Sequence, residues 1–182
     1  MGLLKEIELR RSYRSFAEKI PDNENIKLVF EAARLSPSSS NAQAWKYYFA
    51  KRGSSGFKKI ANSLAEGNKV WAENAALLIV STAAKYLSSG KPYKHAWHDV
   101  GLANAQLGLQ AEHLGLFTHI MGGFSAEIIL KSLSIDSEKE DIVCVIALGY
   151  HGDLHQLPEV LQAREMADRV RKPSQEVFFE ID

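Results

Sequence analysis

Residues 10–14 read Arg10-Arg11-Ser12-Tyr13-Arg14 and place three guanidinium groups and a serine hydroxyl within five residues. Arginine presents a rigid fork of donors that stays charged at any physiological pH, which suits a phosphate dianion. The whole chain balances 22 Lys and Arg against 22 Asp and Glu, so the run is not a sample of a generally basic surface. A solvated basic turn at the end of a helix would have the same composition. The run alone therefore indicates either an anion site or such a turn.

Composition sets the broad class of the protein. With 182 residues, of which 46% are hydrophobic, the chain can bury one sizeable core, and a single domain over residues 1–182 is expected. The balanced charge argues against nucleic acid or an anionic membrane as a partner. No apolar run approaches the roughly 20 residues that span a bilayer, and the N-terminus lacks a signal-peptide core, so a cytoplasmic protein is expected. The single cysteine, Cys144, lies in a buried-strand pattern and excludes an intramolecular disulfide.

Periodicity predicts a mixture of helices and strands. Helices are expected from the cap residues at 21–23 to about Leu35, over 57–64, and from Val100 to Leu114, where Gly115 ends the helix. Short β-branched or aromatic runs predict strands at Trp45–Ala50, Ala75–Ser81, Phe117–Met121, Ile142–Leu148 and Glu176–Ile181. Because these elements do not alternate strictly, the pattern indicates an α+β or a mixed α/β fold.

Four further segments follow the arginine run along the chain. They are Ser36 to Trp45, Gly67-Asn68, His119 to Phe124, and Arg169 to Pro173. In this order and at these separations the segments resemble the nitroreductase family of FMN-dependent oxidoreductases, over nearly the whole chain from about Leu4 to Phe178. The resemblance implies an α+β flavin-reductase fold, with helices around a mixed, mainly antiparallel sheet.

The C-terminal arm, residues 165–182, needs a surface to cover it. It contains the consecutive aromatic residues Phe178 and Phe179, which require an apolar surface or a sheet edge. The residues alone are equally consistent with an arm that folds back onto its own sheet. The resemblance implies that the arm is exchanged with a second subunit in an intertwined homodimer, with flavin sites at the subunit interface.

The resemblance also assigns a non-covalent FMN site. Arg10, Ser12 and Arg14 match the family's contacts to the phosphate and to the pyrimidine edge, and Arg11 belongs to the same run. Arg169 and Arg171 match the family's C-terminal basic contacts to the phosphate. Several partly buried arginines suffice to hold FMN, since a pair of unit charges at about 4 Å is worth roughly 4 kcal/mol at an effective dielectric near 20.

Two further segments match contacts to the flavin ring. A loop of the family that covers the flavin from the partner subunit is matched by four residues, Pro37, Ser38, Ser39 and Asn41. These residues would equally form a helix-terminating Ser-Pro turn. Asn68 matches a family asparagine on the pyrimidine side of the flavin, although Gly67-Asn68 by itself is typical of a turn.

The glycine pair Gly122-Gly123 carries the most specific chemistry. Reduced flavin gathers electron density at N5 and along N1 to O2, and a backbone N–H in a glycine loop approaches such atoms closely because no Cβ intervenes. In the family the loop that matches Ile120, Met121, Gly122 and Gly123 contacts the N5 and O4 region. Ile120 and Ala44 stand where the family usually has proline, which leaves the rigidity of these two loops open.

Other motifs point away from alternative chemistries. His95 and His98, with Asp99, lack a third ligand at a recognisable spacing, so no metal site is predicted. His151 and His155 are expected in a solvated loop, with a lesser expectation that they line the flavin cleft. No Gly-x-Gly-x-x-Gly motif is present, so a nicotinamide has to visit the flavin face without a Rossmann domain.

These observations predict an FMN-dependent NAD(P)H oxidoreductase. Hydride passes from NAD(P)H to flavin N5, the nicotinamide leaves, and a small acceptor such as a nitroaromatic or a quinone takes its place, which is a ping-pong scheme. No side-chain nucleophile is required. The short connection between about Thr82 and Trp97 predicts an open substrate site. A flavin-dependent dehydrogenase that does not use nicotinamide and a non-enzymatic flavin-binding or sensory protein remain as alternatives.

Overall fold

The computed structural model describes residues 2–181; Met1 and Asp182, the ends of the expected domain, lie outside the described residues. The helices and strands, in chain order, are α1 Lys5–Leu9, α2 Asn23–Arg34, β1 Trp45–Lys51, α3 Ser55–Ala61, α4 Glu66–Ala72, β2 Leu77–Ala84, α5 Ala96–His113, β3 Phe117–Met121, α6 Ala126–Leu133, β4 Glu140–Gly149 and α7 Glu159–Met166. Between residues 2 and 181, no helix combines the length and apolar character needed to cross a bilayer.

The four strands form one sheet in the order β1-β2-β4-β3. All three pairings are antiparallel, so the α+β class is confirmed, and the sheet within residues 2–181 is antiparallel throughout. β2 and β4 occupy the centre and are buried almost continuously, because side chains of both faces meet helices. β1 and β3 are the edges, and each offers one side without a strand neighbour among the described residues.

Two hydrophobic clusters cover the two faces of the sheet. Leu78 and Val80 of β2 face the cluster with α3, α4 and α6, whereas Leu77 and Ile79 face the cluster with α2 and α5. This alternation follows from the two-residue period of a strand. The core therefore lies in two layers, and the two sheet edges are left to carry other contacts.

The longer helices form as the sequence predicts. The Asp22 side chain accepts a hydrogen bond from the backbone N–H of Asn25 and caps α2, whose residues Ile26, Val29 and Ala33 are buried. Helix α5 ends at His113, and Gly115 takes a φ of 69°, which is the left-handed conformation that glycine favours after a helix.

The predicted helix over 57–64 is wrong at its C-terminal end. Helix α3 stops at Ala61, and Leu64 pairs with Phe124 in an isolated β-bridge. The break is stabilised by the carbonyl of Ser63, which accepts a hydrogen bond from the N–H of Ser125 at 2.7 Å. Asn68 then lies in helix α4 and not in a turn.

The predicted strand at 176–181 is also wrong for this chain. Ser174–Glu176 form a 3-10 turn, and the residues that follow have no regular structure. A strand needs a neighbour for its backbone N–H and C=O groups, and this arm lies beside none of the chain's own strands within the described range. The side chains of Phe178 and Phe179 are 71% and 73% exposed.

A short β-bridge joins the N-terminal segment to the end of β4. The N–H of Gly152 donates to the Ser15 carbonyl at 3.0 Å, and the N–H of Ala17 donates to the Tyr150 carbonyl at 2.9 Å. Phe16 lies between these bonds, is buried, and stacks on Trp71 with ring centroids 6.2 Å apart. The arginine run is thereby fixed relative to the sheet.

Gly152 is required for this close approach. A Cβ at this position would lie 2.5 Å from the backbone carbon of Phe16, so we expect Gly152→Ala to lower the free energy of unfolding by about 1–3 kcal/mol. Gly67→Ala is the control, because a Cβ there meets nothing within 4 Å and helix propensity predicts a gain of about 0.5–1 kcal/mol. Urea unfolding of both variants measures the difference, and equal stability of the two would contradict the bridge as a tight contact.

Candidate functional site

The arginine run is held by a buried carboxylate, that of Glu165 on α7. The backbone N–H of Arg14 donates to both carboxylate oxygens at 3.0 and 3.1 Å, and the N–H of Ser15 donates at 3.1 Å. The Arg14 guanidinium lies 3.8 Å from the same carboxylate, whose side chain is 4% exposed. Glu165 was not predicted from the sequence, because a lone glutamate in an amphipathic helix carries no signal.

The C-terminal basic segment lies against the same run. The Arg11 guanidinium donates to the carbonyl of Ala167, and the Arg169 guanidinium donates to the carbonyls of Ile7 at 3.2 Å and Arg10 at 3.1 Å. The structure thus brings Arg169 together with the N-terminal arginines, as a shared anion site requires. Arg171 donates only to its neighbour Val170 and is exposed, so this chain does not bring it to the run.

His119 of β3 joins the run to the sheet edge. Its Nδ1 donates to the carbonyl of Tyr13 at 3.0 Å, which fixes the tautomer because a carbonyl only accepts. Its ring contacts Trp71 at a centroid distance of 4.5 Å. Burial lowers the pKa of His119, which favours the neutral ring. His119 begins the segment from His119 to Phe124 that contributes to the family resemblance, but it was not predicted as a site residue.

Asn68 and the glycine pair meet at the far end of β3. The Asn68 side-chain amide donates to the Gly123 carbonyl at 3.0 Å, and the N–H of Ala65 donates to the same oxygen at 3.0 Å. A Cβ at Gly123 would lie 2.8 Å from the Asn68 amide nitrogen, so a larger residue here would displace the Asn68 side chain. Gly122 is open, since a Cβ there would meet nothing within 4 Å. Two segments predicted separately therefore form one cluster.

Strand β3 connects the two groups of candidate residues. The Phe117 ring contacts the Tyr13 ring with centroids 4.8 Å apart, and the strand then runs to Met121, immediately before Gly122. Ile120 is exposed and Met121 is buried. From His119 to Gly123 the chain covers about 13 Å at 3.3 Å per residue. An elongated ligand along this edge would have arginines at one end and amide groups at the other.

The serine loop at 37–41 is fastened elsewhere. The N–H of Ser39 donates to the Asp99 carboxylate at 3.0 Å, and the Tyr93 hydroxyl donates to Asp99 and lies 3.1 Å from the Ser39 carbonyl. The Ser38 hydroxyl accepts the N–H of Gln43 at 3.1 Å. Although Ala44 replaces the family's usual proline, these contacts hold the loop. Asp99 and Tyr93 were not predicted as part of it.

The loop carries backbone strain. Ser40, Asn41 and Gln43 have φ angles of 52°, 54° and 50°, in the left-handed region. Residues other than glycine avoid this region at a cost of roughly 1 kcal/mol each, with asparagine the most tolerant. The buried contacts to Asp99 offset this strain.

Helix α5 separates the serine loop from the arginine run. The loop is bound at Asp99 in the first turn, whereas Arg10 lies near Glu112 in the last turn. Burial raises the pKa of Glu112, and the nearby Arg10 guanidinium opposes that shift. Asp99 and Glu112 are thirteen residues apart on the helix, which corresponds to about 20 Å at 1.5 Å per residue. The structure does not bring Pro37, Ser38, Ser39 and Asn41 to the arginine run of the same chain.

The candidate histidines divide between two places. His98 Nδ1 lies 2.9 Å from Asp99, and across residues 2–181 no three His, Cys, Asp or Glu side chains converge as metal ligands. His151 is partly exposed and lies 3.8 Å from the Glu165 carboxylate and 4.5 Å, between ring centroids, from Tyr13. His151 therefore borders the arginine run.

Comparison with known proteins identifies the family. The family model described as "Nitroreductase family" matches residues 7–70 and 57–150, which together cover more than half of the chain. The chain belongs to the nitroreductase family. The family predicted from the sequence and its α+β fold are thereby confirmed.

Relatives of this nitroreductase-family protein can be aligned with it over most of the length of both chains. A protein from Archaeoglobus fulgidus named "Putative NADH dehydrogenase/NAD(P)H nitroreductase" is 31% identical over 82% of this chain and 86% of its own. A crystal structure described as "the oxidoreductase containing FMN" is 30% identical, covers 99% of this chain and 92% of its own, and superimposes with a TM-score of 0.92. A nitroreductase family protein from Clostridium difficile shares the fold, with a TM-score of 0.76 at 21% identity over 98% of both chains.

The Asp99 contacts predict a pH-dependent stability. Burial favours the neutral acid, but hydrogen bonds from Tyr93, His98 and the Ser39 N–H outweigh it, so the pKa of Asp99 lies below its ordinary value. A lowered pKa contributes stability above the unfolded value near 3.9, and this contribution is lost as the pH falls through the folded value. We expect Asp99→Asn to lower the free energy of unfolding at pH 7 by about 2 kcal/mol, with a smaller difference below pH 4.

Urea unfolding between pH 3 and pH 8 measures this effect. Glu127→Gln is the control, since Glu127 is an exposed acid in the first turn of α6. A difference between Asp99→Asn and wild type that stays constant over this range would contradict the role of the ionised carboxylate.

Proposed function

We propose that this protein, as an FMN-dependent oxidoreductase of the nitroreductase family, passes hydride from NAD(P)H to a small acceptor such as a nitroaromatic or a quinone in two successive half-reactions. FMN, when bound, supplies the hydride-accepting N5 atom. The observation that carries the proposal is the meeting of the arginine run, Arg169, Asn68 and the glycine pair along one sheet edge, β3. The names of the relatives, which include FMN and NAD(P)H, support the same assignment.

The arginine end fits a phosphate. Within the described part of the chain, the Arg10 guanidinium and the Ser12 hydroxyl have no hydrogen-bond partner. Arg14 and Arg169 stand beside them; Glu165 offsets part of the charge of Arg14, and Arg169 donates to backbone carbonyls. A phosphate at this end would meet both available donors and net positive charge. These are the residues that we propose to hold the FMN phosphate, together with Arg11.

The glycine end fits the polar edge of a flavin ring. Gly122 is exposed and presents its N–H without a Cβ that would hold a ring away. The Asn68 amide nitrogen is committed to the Gly123 carbonyl, which leaves the amide oxygen to accept a hydrogen bond from a ring N–H. We propose that Asn68 orients the pyrimidine edge and that the backbone from Ile120 to Gly123 lies beside N5 and O4.

The acceptor site is open in this chain. Between Ala84 at the end of β2 and Ala96 at the start of α5, the connection is a turn closed by a bridge between Tyr86 and Pro92. No helix lies in that connection to restrict the space above a bound ring. We therefore propose a permissive site in which nicotinamide and acceptor occupy the same space in turn, as a ping-pong scheme requires.

We propose that each flavin site is completed by a second copy of the chain. The serine loop lies about 20 Å along α5 from the arginine run, so Ser38, Ser39 and Asn41 would reach the flavin of the partner. The exposed arm offers a reason for two copies to associate, because its apolar side chains have no cover in their own chain within the described range. Exchange of the arms would bury them.

The free edge of β1 is the surface that suits the arm. A groove of about 970 Å³ follows this edge between β1 and α2, and it is lined by aromatic side chains that include Phe30, Tyr47 and Phe49. An extended arm that enters the groove gains both strand partners and apolar cover. We propose that Val177 to Ile181 of one chain occupy the groove of the other.

The first experiment tests the cofactor and the reaction. We expect the purified protein to release FMN on heating, and we expect its flavin absorbance to bleach under anaerobic NADH or NADPH. Steady-state rates against both substrates should give parallel double-reciprocal lines. A protein that holds FMN but is not bleached by either nicotinamide would support the dehydrogenase or the sensory alternative, and a protein that binds no flavin would remove the whole proposal.

The second experiment tests arm exchange. Truncation after Pro173 removes Phe178 and Phe179 but keeps Arg169 and Arg171, so we expect the truncated protein to dissociate on dilution and to lose FMN in parallel. Sedimentation velocity and flavin fluorescence on one dilution series measure both. Val160→Ser is the control, since Val160 is 68% exposed but lies on α7, outside the truncated part of the arm. A truncated monomer that retains FMN would contradict a site shared between two chains.

A further inference from the structure

Glu165 has more donors around it than an ordinary surface carboxylate. Its oxygens accept the N–H groups of Arg14 and Ser15, and they lie 3.8 Å from both the Arg14 guanidinium and His151 Nε2. The side chain is 4% exposed, so these contacts are shielded from solvent. A carboxylate at this depth is tolerated only when donors surround it.

The backbone next to these contacts is left with its donors available. The backbone N–H of Arg10 donates to the Glu6 carbonyl. Further along the chain, the next backbone N–H that has a hydrogen-bond partner among residues 2–181 is that of Arg14. The N–H groups of the three residues between them, Arg11, Ser12 and Tyr13, have no partner in this part of the chain. These three amides are therefore available to a ligand, in a stretch where no residue has a positive φ angle.

The two carbonyls at the ends of this stretch are bound by the protein. The Arg10 carbonyl accepts the Arg169 guanidinium, and the Tyr13 carbonyl accepts His119 Nδ1. The Glu165 carboxylate fixes the next two peptide units, at Arg14 and Ser15. The peptide dipoles from residue 11 to residue 13 are thus held between two anchored ends.

We infer that Glu165 is a positioning residue for the flavin phosphate, an inference that rests on the phosphate site proposed above. By accepting two adjacent backbone N–H groups, its carboxylate fixes the backbone at the end of the arginine run and thereby places the side chains of Arg10, Ser12 and Arg14 for the phosphate. It touches no ligand itself. Its negative charge beside Arg14 repels a phosphate and so weakens phosphate binding. The contribution of Glu165 is therefore geometric.

Two substitutions separate geometry from charge. Glu165→Gln keeps a side-chain oxygen that accepts both N–H groups but removes the charge. Glu165→Asp keeps the charge but withdraws the oxygens by about 1.5 Å, one C–C bond length, from the amides. Glu159→Ala is the matched control, because Glu159 is an exposed acid on the same helix.

The readout is the ratio of the dissociation constants of riboflavin and FMN, measured by flavin fluorescence on the full-length protein. The two ligands differ only in the phosphate. We expect Glu165→Asp to lower this preference for FMN about tenfold, the effect of one or two charge-assisted hydrogen bonds, with riboflavin affinity unchanged. Glu165→Gln and Glu159→Ala should stay within about threefold of wild type.

The outcomes distinguish this inference from the proposed phosphate site. A wild-type protein that binds riboflavin as tightly as FMN would remove the phosphate site itself. A wild-type preference that Glu165→Asp preserves, or that Glu165→Gln loses as fully as Glu165→Asp, would overturn the positioning role while leaving the phosphate site intact. Parallel weakening of both ligands in Glu165→Asp would show a general structural role and would also overturn the inference.

Discussion

The buried carboxylate of Glu165 is the contact on which the candidate site depends. Removing a carboxylate from water is costly unless donors replace the water, and here the replacement donors are the backbone amides of Arg14 and Ser15. These bonds join residues about 150 positions apart along the chain. The N-terminal arginines, the segment after β4 at His151 and the start of the C-terminal arm are consequently assembled at one place, beside β3.

Helix α5 imposes a second constraint, one of distance. Its first turn holds the serine loop through Asp99, and its last turn lies beside Arg10. The helix holds these two candidate segments of one chain apart, and we propose that they contact different flavins. The proposed exchange of arms is consistent with this geometry, because a second copy would supply both the serine loop and the groove at β1.

The serine loop has a strained backbone, whereas the glycine pair does not, since neither Gly122 nor Gly123 has a positive φ angle. Gly123 accepts close contact with Asn68 because it has no Cβ. The loop instead places Ser40, Asn41 and Gln43 in the left-handed region and offsets the strain with buried hydrogen bonds to Asp99. The loop thereby exposes polar side chains at its tip, and the buried contacts to Asp99 offset the backbone strain.

The sequence by itself determined the family, the α+β class, the capped helix α2, the long helix α5 and all four strands of the sheet to within a few residues. Local periodicity and an ordered set of short motifs carry that information. Only the tertiary structure decided that α3 ends at Ala61, that Asn68 lies on a helix against Gly123, that the arm adds no strand to its own sheet, and that Glu165, Asp99, Tyr93 and His119 hold the candidate segments. The reason is physical. The residue type of a glutamate or aspartate does not show whether its side chain is buried, and its role here arises from hydrogen-bond donors that lie far away in the sequence. Strand formation at 176–181 likewise depends on a neighbour for the backbone, which no local pattern contains.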